Sequence, residues 1–459
     1  MARNRIAELI ILAGDRAGGV NLLEQVFAIE PENREALLTR GRLRLEDADT
    51  KSAITDFRTV LRNDPESVPA LKLLARAHQT DGATDLALDN YQQILQISPT
   101  DDEAAYQAAS LAFALGEYDS AEQLLLVLAQ RQPDNAEVIR KLVATYGRQE
   151  RWQEALARAD KLAAKEGTKS LGIYLKARVY FDQEKYSKAL DALEQTLVLQ
   201  PAAVEALQYY VRTKARLGDM TGALQYLDTH IATHPEHIHA LELLGAVHRQ
   251  AGNIEEAERS FNRVIEAEPT RVSGYRHLAA LQASQEQLDA AVSTYQRGLE
   301  VNPEDIQLLL SLGNMYGQAG EYDHAVQAYE RILAIDVDHA LAANNLAATL
   351  VDHRPGAENL QRAVALVEPI LARDRNPVYL DTLGWAHFKL GNIVQAVNLL
   401  SEAVRSGGSD PIYHYHLGMA YHANNQAALA SKQLSLALEN GAAEFVGRDE
   451  AELILRSLL

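Results

Sequence analysis

Cysteine is missing from this chain of 459 residues. Without it the protein can form no disulfide, present no thiolate nucleophile and bind no zinc through sulfur. The absence of cysteine does not indicate a cellular compartment, because reducing and oxidising compartments both contain proteins that lack cysteine. Catalytic and metal chemistry that depends on a cysteine thiolate is therefore excluded.

The sequence also lacks a hydrophobic run long enough to cross a bilayer. The longest apolar stretch near the start, residues 6–14 (IAELIILAG), is interrupted by Glu8. Its pattern predicts an amphipathic helix rather than a signal peptide, so we expect no membrane insertion by this segment. No stretch has low complexity, and the whole chain should fold.

Positive charge is scarce in the composition. Lys and Arg number 44 against 63 Asp and Glu, which gives a formal net charge of -19. Binding to a nucleic-acid duplex needs a clustered basic surface that neutralises phosphates. The sequence therefore predicts no nucleic-acid partner.

Catalytic motifs are absent as well. We find no Gly-rich phosphate loop, no HExxH helix and no nucleophile elbow. The acidic residues and histidines have no spacing that would bring a base next to a nucleophile. We predict no catalytic residues, no cofactor and no enzymatic activity.

Four histidines close together are the best metal candidates. They are His230, His234, His237 and His239. The first two have the i, i+4 spacing of zinc ligands, but Pro235 ends their helix and only Glu236 is placed to complete a ligand set. We favour a solvated turn over a metal site.

A repeat of about 34 residues is the dominant feature that the sequence does contain, and this length lies in the range of solenoid repeats. Alanine recurs at this spacing in nine successive units and then, after one longer and one slightly shorter step, in three more. These alanines are Ala53, Ala87, Ala121, Ala155, Ala189, Ala223, Ala257, Ala291, Ala325, Ala363, Ala396 and Ala430. The regular period predicts a stack of equivalent units.

Each unit predicts a pair of helices. Apolar or small residues lie at i, i+3, i+4 and i+7, as at Leu309, Leu312 and Gly313, and a second helical set starts near the repeated alanine. Proline recurs in the same phase from Pro31 to Pro303, where it should end the second helix. The four extra residues around 352–359 predict a longer turn inside one pair.

Small residues mark the first helix where the two helices of a pair should cross closely. They are Gly41, Ala75, Ala109, Ala177, Gly245, Ala279, Gly313, Ala347, Gly384 and Gly418. Aromatic residues on the second helix are predicted to fill the core. They are Phe57, Tyr91, Phe261, Tyr295 and Tyr329.

The pattern resembles the tetratricopeptide repeat family, most fully in residues 312–336 (LGNMYGQAGEYDHAVQAYERILAID). The resemblance implies an all-α fold: a right-handed superhelical α-solenoid of about thirteen stacked helix-turn-helix units. We divide the chain into a degenerate first repeat, nine in-phase repeats, three further repeats and a C-terminal capping helix. The ranges are 1–33, 34–339, 340–441 and 442–459.

The resemblance also implies a binding surface, because the first helices of the family line a concave inner face. Its contact positions, numbers 2, 5, 9, 12 and 13 of each repeat, carry many basic residues here. The arginines are Arg42, Arg76, Arg140, Arg148, Arg178, Arg212, Arg216, Arg249 and Arg276, and Lys72 accompanies them. Arginine grips carboxylates bidentately, so this row predicts an extended, acidic partner. The alternative is structural charge placement: glutamates occupy the first turns of the same helices and arginines lie later, as the helix dipole favours, and these residues could also pair across repeats.

Towards the C-terminus the same positions carry amides and aromatic residues. We predict that they form a peptide groove, with burial by neighbouring repeats as the alternative. They are Asn314, Asn345, Trp385, Phe388, Tyr415 and Met419. The two asparagines match the carboxylate clamp of some family members, but Leu310, Val378 and Thr382 replace its basic residues.

We therefore predict a non-enzymatic scaffold that binds a protein or an extended peptide on its concave face. Residues 343–404 also resemble bacterial repeat proteins of exopolysaccharide assembly and secretion. That resemblance implies an alternative: an envelope scaffold in the cytoplasm or periplasm, or the soluble part of a longer membrane-anchored protein, whose arginines face an acidic polysaccharide. A second alternative is the regulatory repeat part of a larger enzyme.

Overall fold

The computed structural model describes residues 2–354, 356–439 and 445–458, and all regular secondary structure in these ranges is helical. The chain divides into two compact units, residues 1–225 and 226–459. Within each unit, consecutive helices pack as hairpins, as the sequence pattern predicts. The all-α solenoid prediction is confirmed.

The first unit contains thirteen complete α-helices within the described residues. They are α1 (Ala2–Leu12), α2 (Arg16–Phe27), α3 (Arg34–Glu46), α4 (Thr50–Asn63), α5 (Val68–Thr80), α6 (Thr84–Ile97), α7 (Asp102–Leu115), α8 (Tyr118–Arg131), α9 (Ala136–Arg148), α10 (Trp152–Ala163), α11 (Lys169–Asp182), α12 (Tyr186–Leu199) and α13 (Val204–Arg216). A short 3-10 helix, Glu166–Thr168, precedes α11, and α14 (Met220–Thr233) contains the boundary between the units.

The second unit continues the same succession through its described residues. Its helices are α15 (Ile238–Gln250), α16 (Ile254–Ala267), α17 (Val272–Ser284), α18 (Leu288–Val301), α19 (Ile306–Gln318), α20 (Tyr322–Ile335), α21 (Ala340–His353), α22 (Ala357–Leu371), α23 (Pro377–Lys389), α24 (Ile393–Gly407), α25 (Pro411–Ala423), α26 (Ala427–Glu439) and α27 (Arg448–Leu458). None of the described helices is long and apolar enough to cross a membrane.

Second helices end near the recurring prolines, as predicted. For example, α4 ends two residues before Pro65 and α16 ends two residues before Pro269. Aspartate and asparagine side chains cap several of the first helices; for example, Asn33 accepts a hydrogen bond from Ala36 N. Such a cap satisfies a backbone N–H that the helix itself leaves without a partner.

The repeated alanine lies in the core of each of the twelve repeats that carry it. All twelve alanines have 0% exposed surface, which confirms the role predicted for them. The aromatic side chains predicted to be core are buried too, from Phe57 at 0% to Tyr91 at 6% exposure.

Glycine on the first helix is required where an aromatic ring of the second helix lies directly on the backbone. A Cβ atom at Gly245 would lie 2.5 Å from Phe261 Cε1, and one at Gly313 would lie 2.6 Å from Tyr329 Cε1. Carbon atoms in contact normally stay about 3.5–4.0 Å apart, so neither position has room for a methyl group. The close helix crossing predicted from the small residues is confirmed.

Two glycines of α19 should respond oppositely to alanine. We expect Gly313→Ala to lower the free energy of unfolding by about 1 kcal/mol, because the cost of overpacking against Tyr329 exceeds the gain in helix propensity. Gly317→Ala should raise it by up to about 1 kcal/mol. The measurement is amide hydrogen exchange in α19 and α20, which reports local unfolding. If both variants were stabilised, Tyr329 would not lie as close to Gly313 as described.

The four extra residues are accommodated differently from our expectation of a longer turn. The first helix α21 ends at His353 and α22 begins at Ala357, so the connection is as long as in most other pairs, and its residue 355 lies outside the described residues. Instead, α21 has 14 residues where α19 has 13, and α22 begins six residues before Ala363, whereas α20 begins three residues before Ala325. Added helical residues satisfy their own backbone hydrogen bonds, which a longer loop would not.

A final helix, α27, packs against α25 and α26. Ala451 is fully buried there, and the Tyr415 hydroxyl donates a hydrogen bond of 2.7 Å to Glu450. Residues 442–444 and 459 of the predicted capping segment lie outside the described residues. The repeat boundaries that we assigned stay a prediction.

Candidate functional site

First helices of four successive pairs line one groove in the first unit. Helices α7, α9, α11 and α13 are neighbours in that order, and the groove between them has a volume of about 750 Å³. We call it the arginine groove. Its lining residues are Tyr106, Phe113, Glu137, Arg140, Lys141, Ala144, Gly147, Arg148, Glu150, Trp152, Arg178, Asp182, Tyr209 and Arg212.

Four of the nine arginines predicted from the sequence meet in this groove. Arg140 and Arg148 come from α9, Arg178 from α11 and Arg212 from α13. They meet because the helical hairpins place equivalent positions of neighbouring first helices side by side. The lining includes five basic and three acidic side chains, so the groove is positive although the chain is strongly acidic.

Aromatic rings hold two of these arginines in place. The Arg178 guanidinium lies 5.6 Å from the centre of the Tyr209 ring, and the Arg212 guanidinium lies 4.9 Å from the same ring. Tyr174 and Phe181 lie beneath them, at 6.0 Å from Arg178 and 5.1 Å from Arg212. Cation–π contacts of this kind restrict the side chain without neutralising its charge.

The groove arginines differ in whether a carboxylate already pairs with them. Arg140 forms ion pairs with Glu205 at 3.2 Å and with Glu137 at 3.8 Å. Among the residues that the structure describes, Arg148, Arg178 and Arg212 form no ion pair with a carboxylate. Their guanidinium groups therefore remain available for an acidic ligand, and the Nε atom of Arg178 is buried without a hydrogen-bond partner.

Asp182 lies among these three arginines. Partial removal of water by the surrounding protein raises the pKa of Asp182 above its ordinary value, and Arg178, Arg148 and Arg212 oppose this shift. The carboxylate forms no ion pair with them within the described part of the chain. It therefore reduces the positive potential without occupying the arginines.

The other predicted arginines lie outside this groove. Arg42 pairs with Glu8 at 2.5 Å, which is the structural pairing that we considered as the alternative. Lys72 likewise pairs with Asp101 and Glu103. The rest form no ion pair within the described ranges and do not line the arginine groove. They are Arg76, Arg216, Arg249 and Arg276.

The C-terminal amides bond to each other. Asn345 Nδ2 donates to Asn314 Oδ1 at 3.0 Å, and the Tyr329 hydroxyl donates to the same oxygen at 2.8 Å. The carboxylate-clamp asparagines are thus brought together, but basic side chains are missing where Leu310, Val378 and Thr382 stand.

The predicted C-terminal aromatic set is mostly interior. Trp385, Tyr415 and Met419 are 5%, 3% and 6% exposed, and Phe388 is half-buried. The Trp385 ring stacks on Phe388 at 4.6 Å, and its Nε1 donates to Asp352 at 2.9 Å. Neighbouring repeats bury these side chains, so the described residues form no open peptide groove there.

Two of the four clustered histidines are buried and bonded to each other. His230 Nε2 and His237 Nδ1 are 2.9 Å apart, so one ring donates and the other accepts. Burial and the repulsion from His237 and His234 lower the pKa of His230 to about 4. Burial also lowers the pKa of His237. The solvated turn that we favoured is wrong for this pair, because the side chains close the junction between α14 and α15.

Acid should therefore weaken this junction. A folded-state pKa below the unfolded value means that stability is full above about pH 6.5 and is lost as the pH falls towards 4. We expect the wild type to lose about 1–2 kcal/mol more between pH 7.5 and pH 5 than a His230→Gln/His237→Asn variant. Amide hydrogen exchange in α14 and α15 at both pH values measures this difference. Equal losses would show that the folded protein does not lower the pKa of the pair.

Two protein-family profiles, both described as tetratricopeptide repeat, match the chain at several places. The matched residues are 38–102, 174–238, 277–340 and 382–444 for one, and 79–146 and 214–283 for the other. Together they cover more than half of the sequence. The chain belongs to the tetratricopeptide repeat family.

Individual similar proteins are distant. The DnaJ homolog subfamily C member 7 homolog of Schizosaccharomyces pombe is 24% identical over 215 residues, which are 46% of this chain and 40% of that protein. The chain thus spans less than half the length of that relative. The solved APC/C hetero-tetramer Cut9-Hcn1 has a TM-score of 0.43 and 15% identity, with 99% of this chain and 95% of that one covered. A tetratricopeptide repeat protein from Parabacteroides merdae has a TM-score of 0.41 and 17% identity, with 56% and 98% covered.

Membership of the tetratricopeptide repeat family indicates a protein–protein interaction scaffold. The contact positions of the repeat identified the arginines but missed the aromatic side chains that hold them. Tyr174 precedes Arg178 by four residues and Tyr209 precedes Arg212 by three, which places each pair on one helix face. That spacing is readable from the sequence. Trp152 begins a second helix, and nothing in the repeat pattern points to it.

Proposed function

We propose that this protein is a non-enzymatic scaffold whose arginine groove binds an acidic, extended segment of a partner protein. The observation that carries the proposal is the convergence on one groove of Arg148, Arg178 and Arg212, none of which pairs with a carboxylate of the described residues. Arg42, by contrast, is already paired with Glu8, and the other predicted arginines that lack an ion pair in the described ranges do not line this groove.

The charge distribution supports the same partner. The chain carries a net charge of -19, so most of its surface repels an acidic segment. The arginine groove, which has five basic and three acidic side chains, is a region of positive potential on this acidic protein and attracts an acidic segment. Opposite potentials steer a charged ligand towards its site and disfavour binding elsewhere.

The arginines are also arranged before a ligand arrives. Tyr209 contacts both Arg178 and Arg212, and Phe181 and Tyr174 complete the support. A side chain that is already restricted loses less conformational entropy on binding, typically about 0.5–1.5 kcal/mol for each flexible group. The aromatic contacts therefore strengthen binding without touching the carboxylates of the ligand.

Fluorescence anisotropy with a labelled glutamate-rich peptide tests the proposal. We expect the peptide to bind at low salt and to weaken steeply between about 50 and 300 mM salt, because exposed charge pairs are screened. A lysine-rich peptide of equal length is the control and should not bind. Binding of the two peptides with equal affinity, or acidic binding insensitive to salt, would refute the proposal.

The same assay addresses the alternative of an acidic polysaccharide. A soluble polyuronate presents carboxylates at a similar density but offers no peptide groups. Our proposal predicts that it competes less well than an acidic peptide of equal charge. Stronger competition by the polyuronate would favour the envelope-scaffold alternative.

A further inference from the structure

We propose that the segment bound in the arginine groove carries two acidic side chains three residues apart, in a polyproline II conformation, with one on Arg178 and the other on Arg212. This inference rests on the proposed function and adds a register to it, by which we mean the spacing of the two acidic residues that bind the two arginines. Arg212 follows Arg178 by one full repeat, so the two arginines occupy the same position of neighbouring units.

The spacing of the two arginines follows from their contacts. Both guanidinium groups lie over the Tyr209 ring, at 5.6 Å and 4.9 Å from its centre. They are therefore no farther apart than the sum of these distances. Neighbouring helices such as α11 and α13 pack about 8–10 Å apart, which sets a similar separation for side chains at equivalent positions.

Only one extended conformation presents acidic side chains on one face at this distance. Polyproline II has three residues per turn and rises about 3.1 Å per residue, so residues i and i+3 share a face about 9 Å apart. In a β-strand, residues i and i+2 share a face only about 6.6 Å apart, and i+3 points to the opposite side. The polyproline II segment fits the two arginines.

The register involves two arginines and no more. One repeat before Arg178 the equivalent residue is Ala144, and one repeat after Arg212 it is Ala246. Arg148 also lines the groove, but it occupies a later position of its repeat. It should therefore add attraction for any acidic segment without selecting the spacing.

Tyr209 positions both arginines. The ring is half-buried and meets Phe181 edge-on at 5.5 Å, so it forms a fixed support in contact with both guanidinium groups. We expect Tyr209→Phe to preserve the spacing preference because the ring remains. Tyr209→Leu should weaken the preference, because both arginines lose their common contact.

Three peptides of identical composition test the register. Each contains two glutamates in an alanine- and proline-rich background, separated as i, i+2, as i, i+3 or as i, i+4. We expect the i, i+3 peptide to bind at least about fivefold more tightly than the other two. Equal affinities, or a preference for i, i+2, would overturn the register. Failure of every acidic peptide to bind would instead refute the proposed function.

Variants separate the register from general attraction. Arg178→Gln and Arg212→Gln should each lower affinity and remove the preference for i, i+3. Arg148→Gln is the matched control and should lower affinity for all three peptides by the same factor, leaving the preference intact. If Arg148→Gln alone removed the preference, the assignment of the two arginines would be wrong.

Discussion

Replacing Arg178 and Arg212 together with glutamate should weaken binding of an acidic peptide by at least about 100-fold. Each guanidinium group contributes a charge-assisted hydrogen bond to a carboxylate, typically about 1.5–3 kcal/mol, and the new glutamates add repulsion. A loss of about 1.4 kcal/mol corresponds to a tenfold change in Kd, so the two losses exceed two orders of magnitude. Titration calorimetry or anisotropy measures the change.

A control with the same change in charge distinguishes the groove from the overall field. Arg58 and Arg263 are exposed residues of second helices and do not line the groove. The Arg58→Glu/Arg263→Glu variant should bind within about threefold of the wild type, because screening limits the reach of exposed charges to about 10 Å. Both double variants should keep the wild-type circular dichroism. An equal loss in both would mean that net charge, not the groove, controls binding.

Replacing Asp56 with alanine should destabilise the N-terminal hairpins by about 3 kcal/mol, because removing one partner of a buried ion pair leaves the others uncompensated. Asp56 is 2% exposed and accepts hydrogen bonds from Arg40 Nε at 3.0 Å, from Arg40 Nη2 at 2.7 Å and from Arg44 at 2.7 Å. The expected loss is at the low end for such changes because both arginines retain some contact with water.

Hydrogen exchange locates this effect. Repeat arrays do not unfold in one step, so a single unfolding midpoint underestimates a local loss. Asp56→Ala should reduce amide protection in α3 and α4 most strongly. Asp89→Ala changes an exposed carboxylate of the next second helix and should stay within about 0.5 kcal/mol of the wild type. Unchanged protection in α3 and α4 would contradict the buried pairing.

The repeating core was predictable because packing repeats with the sequence. Ala257, Phe261 and Gly245 lie at fixed positions of one unit, and helical periodicity alone places them between the two helices. Where Gly245 faces Phe261, the sequence shows a small residue opposite a large one. The structure confirms the contact that this complementarity predicts.

Which inner-face side chains are paired with a carboxylate and which pack on aromatic rings was not predictable in the same way. Arg42 and Arg178 occupy the same repeat position, yet Arg42 pairs with Glu8 while Arg178 lies over Tyr174 and Tyr209. Their neighbours come from adjacent repeats and differ from one unit to the next. A periodic pattern specifies the backbone environment but not these individual contacts.

Burial of Trp385 was likewise decided by neighbouring units. Asp352, one repeat earlier, accepts the indole hydrogen bond, and His416, one repeat later, stacks on the ring at 4.0 Å. Contact positions on the first helix are open only where the flanking repeats carry side chains that do not close over them. At the arginine groove Ala144 and Gly147 leave that space.

Photocrosslinking tests the central claim most directly, because it reports where the acidic segment lies. A benzophenone amino acid is placed at Ala144 in the arginine groove, or at Val198, which is 80% exposed on the second helix α12. We expect a crosslink to the i, i+3 glutamate peptide from position 144 and none from position 198. A crosslink from position 198, with none from position 144, would show that the partner binds the opposite helices and that the arginine groove is not its site.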